Sequence, residues 1–300
     1  MHQLNSSSDR PLTRIKLRPG VFLDEPPADP YALHLKRVEA RLPHLRPGSY
    51  FARASAALIH GLPIFHADLD RVHVVHTGGG HGRITTSGHS FTTPLRDPSV
   101  VKVDDLPVTS LARTASDMMR RTLFGPALAI ADAALRLGCD RAELLDEVRG
   151  GRGCRHATEA ALRATPLSES AYESLVRGHI LQSGIPMPLL QHEFVDAWGL
   201  LLGRTDFYWR EFGLVGEFDG AIKYDELLRP GETVADVRRR EYERQRRIEG
   251  QNVRFVRWTA EDVHTPGAIL ASLQPFIGDH RVDHGMCPEA HDHRRPRRRG

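Results

Sequence analysis

The sequence contains no apolar run long enough to cross a membrane, and its first residues lack the apolar segment of a signal peptide. It has only three cysteines, Cys139, Cys154 and Cys287, and their spacing matches neither a metal site nor a disulfide framework. These absences argue against a membrane-spanning protein and against a small disulfide-stabilised secreted domain. They predict a protein with no membrane partner that works in the reduced cytoplasm.

Lysine is also scarce, because only four of the 41 basic residues are lysines: Lys16, Lys36, Lys102 and Lys223. This preference for arginine is typical of a GC-rich bacterial genome. The formal net charge is +3, and residues 281–300 alone contain six arginines against three acidic residues. Any nucleic-acid surface in the rest of the chain must therefore arise from local clustering of arginines, not from overall charge.

The length of 300 residues is sufficient for two domains, each with its own core. The glycine-rich segment 150–153 interrupts a helical region and indicates a domain junction there or in the helical stretch that follows, before Thr165-Pro166. Apolar periodicity and turn residues before it predict a hairpin, two helices, two strands and three further helices. Their predicted ranges are 12–23, 31–46, 50–62, 72–75, 91–103, a helix starting at Leu111, 126–137 and 140–149.

After the junction, the predicted order is one helix, three strands, one helix and one strand. The ranges are 169–183, 190–196, 203–209, 213–222, 234–249 and 253–258. Thr259 and Asp262 have the spacing of a capping box and predict a final helix. Residues 277–300 are rich in histidine, arginine and proline and are expected to be a disordered basic tail.

Acidic residues concentrate on two consecutive predicted strands of this second part. Asp206 lies in one strand, and Glu217, Asp219 and Lys223 follow in the next. Side chains alternate between the two faces of a strand, so the last three residues are expected to share one face. Clustered carboxylate oxygens attract a hard cation such as Mg²⁺, which activates water and stabilises charge on a phosphate. The pattern therefore predicts a site for Mg²⁺ (or Mn²⁺) with Asp206, Glu217 and Asp219 as ligands.

The αβββαβ order and the segments 204–207 (Arg-Thr-Asp-Phe) and 217–220 (Glu-Phe-Asp-Gly) resemble the core of the PD-(D/E)XK nuclease superfamily. The closest likeness is to its very-short-patch-repair endonuclease-like branch, and it covers roughly residues 168–265. Further matching pieces are Tyr172-Glu173-Ser174, Gly184-Ile185-Pro186, Gln191 and the segment 253–258. The resemblance implies a restriction-endonuclease-like α/β fold that hydrolyses DNA.

The resemblance also implies roles for individual residues. Asp206 matches the aspartate that binds the metal, and Glu217 matches the second acidic position. Asp219 departs from the superfamily pattern because it stands where lysine is usual. Lys223 is therefore expected to supply the missing ammonium, which would orient the attacking water or stabilise the transition state.

Two more polar residues have both a structural and a functional interpretation. Glu173 forms a capping box with Ser170, which is purely structural, yet it also borders the buried face of its helix. The resemblance places a helical glutamate beside the metal at this position and a strand glutamine, here Gln191, near the site. Gln191 is otherwise an ordinary half-buried polar residue.

The helix 234–249 carries arginines in two settings. Glu241 and Arg244 fall on the same stripe as Val237 and Ile248, and a charged pair in an apolar stripe needs a partner. That partner is expected to be the carboxylate cluster or a DNA phosphate. The other arginines form a solvated face or, alternatively, a ridge that grips phosphates without reading sequence. They are Arg238, Arg239, Arg240, Arg246 and Arg247, of which Arg240 and Arg247 are the nucleic-acid candidates.

Residues 12–150 resemble the AbiEi family of antitoxins, DNA-binding regulators of type IV toxin–antitoxin systems. The matching segments are 18–22, 54–63 and 108–117. In that family the first segment is the wing of a winged helix-turn-helix. Because few residues precede it here, the helix that would enter the major groove is expected to be absent, through a misplaced start or loss of independent DNA reading.

Together, these patterns predict two domains of α/β and α+β type. The expected organisation is a disordered start with a partial wing (1–30), an AbiEi-like domain (31–150), a linker (151–167), a nuclease-like domain (168–276) and the tail (277–300). The leading hypothesis is an Mg²⁺-dependent hydrolase acting on DNA. The alternatives are a non-catalytic regulator or antitoxin with a toxin partner, and a protein-interaction module on a relic nuclease fold.

Overall fold

The computed structural model describes residues 14–78, 82–93, 99–150, 153–220, 231–280, 282, 284 and 285. The protein is a mixed α/β protein that divides into two compact units, Met1–Met118 and Met119–Gly300. In the described ranges, no helix combines the length and the apolar character needed to cross a membrane.

The first unit combines a hairpin, a six-stranded sheet and three helices among its described residues. The strands are β1 Ile15–Arg18, β2 Val21–Leu23, β3 Ser49–Phe51, β4 Val72–His76, β5 Arg83–Ile84, β6 Gly88–Thr92, β7 Val100–Val103 and β8 Leu106–Thr109. The helices are α1 Pro30–Arg41, α2 Arg53–His60 and α3 Leu111–Met119. Strands β1 and β2 form the predicted hairpin, and the sheet has the order β5-β6-β4-β3-β8-β7.

Local sequence signals explain most elements of this unit. Asp29 caps α1 by accepting from two backbone N–H groups, and Gly61 ends α2 in the left-handed conformation that glycine adopts without strain. The predicted helix 50–62 was wrong at its start, because Ser49–Phe51 is a strand that pairs with both β4 and β8. The fully buried Phe51 joins the core with Val38, Val74 and Val108, and this packing outweighs the local helical pattern.

The second unit begins with four helices and continues with a four-stranded sheet. The helices are α4 Phe124–Arg136, α5 Arg141–Val148, α6 Cys154–Arg163, α7 Ala171–Ser183, α8 Val234–Glu249, α9 Ala260–His264 and α10 Ala268–Ile277. The strands are β9 Leu189–Val195, β10 Leu201–Trp209, β11 Leu214–Phe218 and β12 Arg254–Trp258. The sheet order is β12-β11-β10-β9, with β11 parallel to β12 and the other pairs antiparallel.

Helices α4 and α6 lie within this second unit, so the division of the chain falls ahead of the glycine-rich segment. Residues 154–163, assigned to a linker from the sequence, form α6. Helix α4 packs closely on α7 because Gly125 and Gly178 face each other, and a Cβ on Gly178 would lie 3.1 Å from Gly125 Cα. Asp132 of α4 and Arg177 of α7 form a buried ion pair across the same contact.

The sheet is covered by helices that the sequence locates well. Helix α8 begins at the capping box of Thr233 and Asp236, and Ile248 near its end packs with Phe194 and Val215 of the sheet. Strand β11 ends at Phe218, earlier than predicted, so Asp219 follows the strand instead of lying in it. The last two residues of the predicted strand, 221 and 222, and Lys223 just beyond it lie outside the described residues.

Candidate functional site

Asp206 and Glu217 lie on neighbouring strands at the point where these strands stop pairing. The last residue pair in this direction is Phe207 with Gly216, and Asp206 and Glu217 are the next residue on each strand. Here the Asp206 side chain takes the place of a backbone acceptor of the sheet, because its Oδ2 accepts a hydrogen bond of 2.9 Å from the backbone N–H of Phe218. The carboxyl group is thus held against the end of β11.

Helix α7 adds a second buried carboxyl group to this place. Glu173 accepts hydrogen bonds at Oε2 from the Glu169 backbone N–H at 2.8 Å and from the Gln191 amide at 3.0 Å. Ser170 caps the helix by accepting from the Glu173 N–H at 3.1 Å. The Ser170 cap and the position of Glu173 beside Asp206 are therefore both present. The predicted capping box is only half formed, because the Glu173 carboxylate accepts from the Glu169 N–H.

The surroundings favour the protonated forms of both acids. Burial, the charge of Glu173 and the charge of Glu217 raise the pKa of Asp206 to about 7, although the Phe218 N–H and the Gln191 amide oppose this shift. Burial also raises the pKa of Glu173. Ionisation of both acids would place two negative charges side by side, and a bound cation would relieve this repulsion.

Gln191 reaches these two acids through an unusual backbone conformation. Its φ is 50°, a left-handed value that a non-glycine residue in a strand seldom adopts. The register pairs its neighbours His192 with Thr205 and Leu190 with Phe207, so Gln191 lies across from Asp206. Backbone strain of this kind is typical of functional sites, and here it accompanies an amide that contacts Glu173 and stabilises the ionised form of Asp206.

Glu217 is engaged by two arginines. Its Oε1 accepts from Arg244 of α8 at 2.8 Å, and its Oε2 accepts from Arg257 of β12 at 3.2 Å. Arg244 also donates to the Arg204 carbonyl at 3.1 Å and to Glu241 at 2.9 Å. Burial lowers the pKa of Arg244, but Glu217 and Glu241 more than offset that effect and raise it overall. The charge of Glu217 is thus balanced within the protein.

These groups open into a cleft of about 410 Å³, a volume typical of ligand sites. Asp219 lines the cleft just beyond the end of β11, where its backbone N–H donates to the Trp258 carbonyl at 2.8 Å. The cleft is lined by Arg204, Asp206, Glu217, Phe218, Asp219, Gly220, Arg238, Glu241, Tyr242, Arg244, Gln245 and Arg257. Carboxylates and arginines therefore face the same space.

The sequence-predicted residues divide into three groups. Asp206, Glu217, Asp219 and Arg244 line the cleft, and Glu173 and Gln191 lie directly behind Asp206. Two of the predicted nucleic-acid arginines do not line the cleft. Arg240 pairs with Glu232 at 2.6 Å, and Arg247 lines a separate depression on α8. Lys223 lies outside the described residues.

The donor set suits a hard divalent cation in its chemistry, because Asp206, Glu217 and Asp219 offer oxygen atoms in one cleft. Within the described ranges, however, no three His, Cys, Asp or Glu side chains form a group that could hold a metal ion. The engagement of Glu217 by its two arginines gives a physical reason, since both of its oxygens are directed to guanidinium groups. Cation binding would require that this carboxylate share its lone pairs or turn.

Arg257 is a site residue that the sequence analysis did not single out. It lies opposite Glu217 in the parallel pairing of β11 with β12, and it also donates to Gln245 at 2.9 Å. Only the strand order brings Arg257 and Glu217 together, because 40 positions separate them in the sequence. At the other side, Arg204 pairs with Glu169 at 2.8 Å on the exposed rim.

We expect Glu173→Gln to lower the pKa of Asp206, because Glu173 is the largest charge contribution to its elevated value. The carboxyl resonance of Asp206, followed by ¹³C NMR across a pH titration, measures this directly. Glu169→Gln is the matched control, because Glu169 acts on Glu173 but not appreciably on Asp206. An unchanged Asp206 midpoint in Glu173→Gln would show that the charge of Glu173 does not contribute to the raised pKa of Asp206.

No family model matches this chain. The uncharacterized protein Rv2248 of Mycobacterium tuberculosis strain H37Rv and the uncharacterized protein MT2308 of strain CDC 1551 are each 36% identical to it over 115 residues. Each match covers 37% of this chain and 42% of the relative, so the similarity spans less than half the length of these proteins.

Among solved structures, the crystal structure of RV2827C protein from Mycobacterium tuberculosis aligns with 58% of this chain and 68% of its own. The sequence identity is 14% and the TM-score is 0.31. This similarity is too low to indicate a shared fold or function.

Proposed function

We propose that the second unit is a PD-(D/E)XK-like phosphodiesterase that hydrolyses DNA with Mg²⁺ or Mn²⁺ in the cleft around Asp206. One observation carries the proposal: Asp206 is a largely buried acid whose pKa is raised to about 7 beside Glu173 and Glu217. Structural carboxylates are normally neutralised by hydrogen bonds or by a basic partner, which would lower the pKa. The order α7-β9-β10-β11-α8-β12 supports the same family resemblance.

Asp206 and Asp219 would hold the cation, together with Glu217 once this carboxylate turns or shares its lone pairs with Arg244 and Arg257. When bound, the cation lowers the pKa of a water molecule and neutralises charge on the phosphate. Gln191 keeps the acids in place, because its amide donates to Glu173 and stabilises the ionised form of Asp206. Glu173 is a positioning residue for Asp206. It acts through its charge and through the hydrogen bonds that it accepts from the Glu169 N–H and the Gln191 amide.

The arginines provide the positive charge that a phosphodiester requires. Arg244 and Arg257 hold Glu217 and also line the cleft, so their guanidinium groups lie where a DNA phosphate would enter. Guanidinium groups bind phosphate through two parallel hydrogen bonds. Arg244 therefore offers a positively charged side chain in a site where Asp219 stands in place of the usual lysine.

Metal affinity is expected to depend steeply on pH. A cation binds the ionised form of Asp206, and the pKa of this acid is raised to about 7. Below that pH a proton competes with the metal, so the affinity for Mn²⁺ should fall by about tenfold for each pH unit. Isothermal titration in buffers of different ionisation enthalpy measures both the affinity and the proton released. A flat affinity from acidic to neutral pH, with no proton released, would contradict this role for Asp206.

A second candidate is a non-catalytic DNA-binding regulator or antitoxin that has a toxin partner. The observation that favours it is the double ion pair of Glu217, because two arginines balance the charge of this carboxylate without a metal ion. The β1–β2 hairpin also lies where the AbiEi resemblance places a DNA-binding wing. This candidate predicts DNA binding that is unaffected by Mg²⁺ and no cleavage.

A cleavage assay separates the two candidates. Purified full-length protein is incubated with supercoiled plasmid, linear duplex and single-stranded DNA, with Mg²⁺, with Mn²⁺ or with EDTA. Hydrolysis predicts products with either metal and none with EDTA. Asp206→Ala serves to exclude a contaminating nuclease, since it removes the central carboxylate. DNA that stays intact with both metals, or an equal rate in Asp206→Ala, would refute hydrolysis.

A further inference from the structure

The outer face of α8 presents an aromatic ring between arginines. Tyr242 is 62% exposed, and Arg238 and Arg246, also exposed, lie four residues before and after it. Residues four apart on a helix share one side and are about 6 Å apart along the axis. The three side chains therefore form a stripe, arginine–tyrosine–arginine, along the helix.

Tyr242 forms the wall between two concave surfaces. It lines the cleft that contains Asp206 and Glu217, and it also lines a shallower depression on α8 with Glu243, Arg246 and Arg247. Arg238 lines the cleft, and Arg246 lines the depression. A linear polymer bound in the depression would therefore cross the Tyr242 ring to reach Asp206 and Glu217 in the cleft.

The chemistry of the stripe selects the molecule that fits it. An exposed aromatic face gains free energy by stacking on a flat apolar surface, and the flanking guanidinium groups attract anions. A nucleic-acid strand alternates these two features, since each base is a flat ring and each linkage carries a charged phosphate. In duplex DNA the faces of a base are covered by its neighbours, whereas an unpaired base is free to stack on the protein.

We infer that the path across Tyr242 binds an unpaired DNA strand, with one base stacked on Tyr242 and the adjacent phosphates at Arg238 and Arg246. The inference rests on the proposed function and deepens it, because it makes single-stranded or frayed DNA the substrate class. The strand runs from the depression over the ring and into the cleft of Asp206.

Binding is measured by fluorescence anisotropy with the full-length protein in EDTA, so that cleavage plays no part. The probes are a labelled oligothymidylate, a duplex of equal length and a single-stranded RNA of equal length. Tyr242→Ala should bind the DNA single strand roughly 5- to 100-fold more weakly, the range found when a stacking aromatic is removed. Tyr242→Phe keeps the ring and should stay within about twofold of the unmodified protein.

A matched pair of arginine variants tests the phosphate contacts. Arg246→Gln should weaken binding and reduce the slope of log affinity against log salt by about 0.7, the value for one phosphate contact on a single strand. Arg239→Gln makes the same charge change on the same helix. Arg239 pairs with Asp236 and lines neither concave surface, so this control should leave the slope unchanged.

The inference is overturned by equal affinity of Tyr242→Ala and the unmodified protein, by tighter binding of duplex than of single strand, or by tighter binding of RNA than of DNA. Equal effects of Arg239→Gln and Arg246→Gln would also overturn it. Tyr242-dependent binding without metal-dependent cleavage would refute hydrolysis and leave the binding path across Tyr242 intact. Asp206-dependent cleavage with no role for Tyr242 would refute the inference alone.

Discussion

Asp206→Asn is expected to abolish metal-dependent DNA cleavage and, at the same time, to stabilise the protein above neutral pH. In the proposed enzyme Asp206 holds the cation, so its loss would remove several kcal/mol of transition-state stabilisation, which corresponds to at least ~10²-fold in rate. Asparagine retains a side-chain oxygen that can accept from the Phe218 N–H, so the local structure should persist. The activity and the stability should therefore change in opposite directions.

The stability change follows from the sign of the pKa shift. The pKa of Asp206 is raised from 3.8 to about 7 on folding. Between these values the folded protein binds a proton that the unfolded chain does not bind, so stability falls as pH rises. Above pH 7 the ionised acid destabilises the fold by on the order of 2 kcal/mol, after allowance for its partial exposure to solvent. Asparagine removes this cost.

Thermal unfolding at pH 8 and at pH 4 measures the effect. The variant should melt roughly 4–8 °C higher than the unmodified protein at pH 8, with a smaller difference at pH 4. Asp146→Asn is the control, because Asp146 is an exposed aspartate on α5 in the same unit. A lower melting temperature for Asp206→Asn at pH 8 would mean that the acid is a structural residue and not a strained functional one.

Asp132→Ala is expected to be the most destabilising single change in the second unit, at ~3–5 kcal/mol. Asp132 is fully buried and accepts two hydrogen bonds from Arg177, at 2.6 and 2.8 Å, and one from the Thr165 N–H at 2.7 Å. Truncation would leave a buried guanidinium group without its counter-ion and a backbone N–H without its acceptor. Because Arg177 lies on the same helix as Glu173, the change should also disturb the site.

Urea unfolding followed by circular dichroism measures this cost. The double variant Asp132→Leu with Arg177→Met should recover much of the loss, because apolar side chains of similar volume often replace a buried ion pair without a stability cost. Asp146→Ala breaks the exposed pair with Arg149 and should cost less than ~1 kcal/mol. Equal effects of Asp132→Ala and Asp146→Ala would show that the buried pair does not hold α4 against α7.

Much of the secondary structure follows from local signals in the sequence. The capping box predicted at Thr259 is confirmed, and so is the Ser170 cap of α7. The Thr233 capping box, the Asp140 cap and the ion pair of Arg113 with Asp117 are equally local. These features involve residues a few positions apart, so their energetics are visible in the sequence.

The features that the sequence does not reveal depend on contacts between distant residues. Strand β3 is only three residues long and precedes a helix directly, so its pairing partners alone define it. Helices α4 and α6 share a unit with α7 because of the Gly125–Gly178 contact and the Asp132–Arg177 ion pair. The members of this ion pair are 45 residues apart, and no local pattern marks either one as the partner of the other.

The candidate site shows the same division. Strand alternation predicts that Glu217, Asp219 and Lys223 share one face. Glu217 and Asp219 line one cleft with Asp206, but Asp219 follows the end of β11 and Lys223 lies outside the described residues. The left-handed backbone of Gln191 has no sequence signal, because glutamine seldom adopts it. The two arginines on Glu217 come from α8 and β12, and only the register of the sheet places Arg257 opposite Glu217.

The central claim is that the acids around Asp206 are arranged to hold a divalent cation. Titration of Mn²⁺ into the DNA-free protein at pH 7.5, followed by electron paramagnetic resonance of the unbound ion, tests this claim most directly. Our account predicts one site in the unmodified protein that is lost in Asp206→Asn and retained in the control Asp146→Asn. Equal Mn²⁺ binding by the unmodified protein and Asp206→Asn, or no binding by either, would contradict it and favour a DNA-binding protein whose Glu217 is neutralised by arginine.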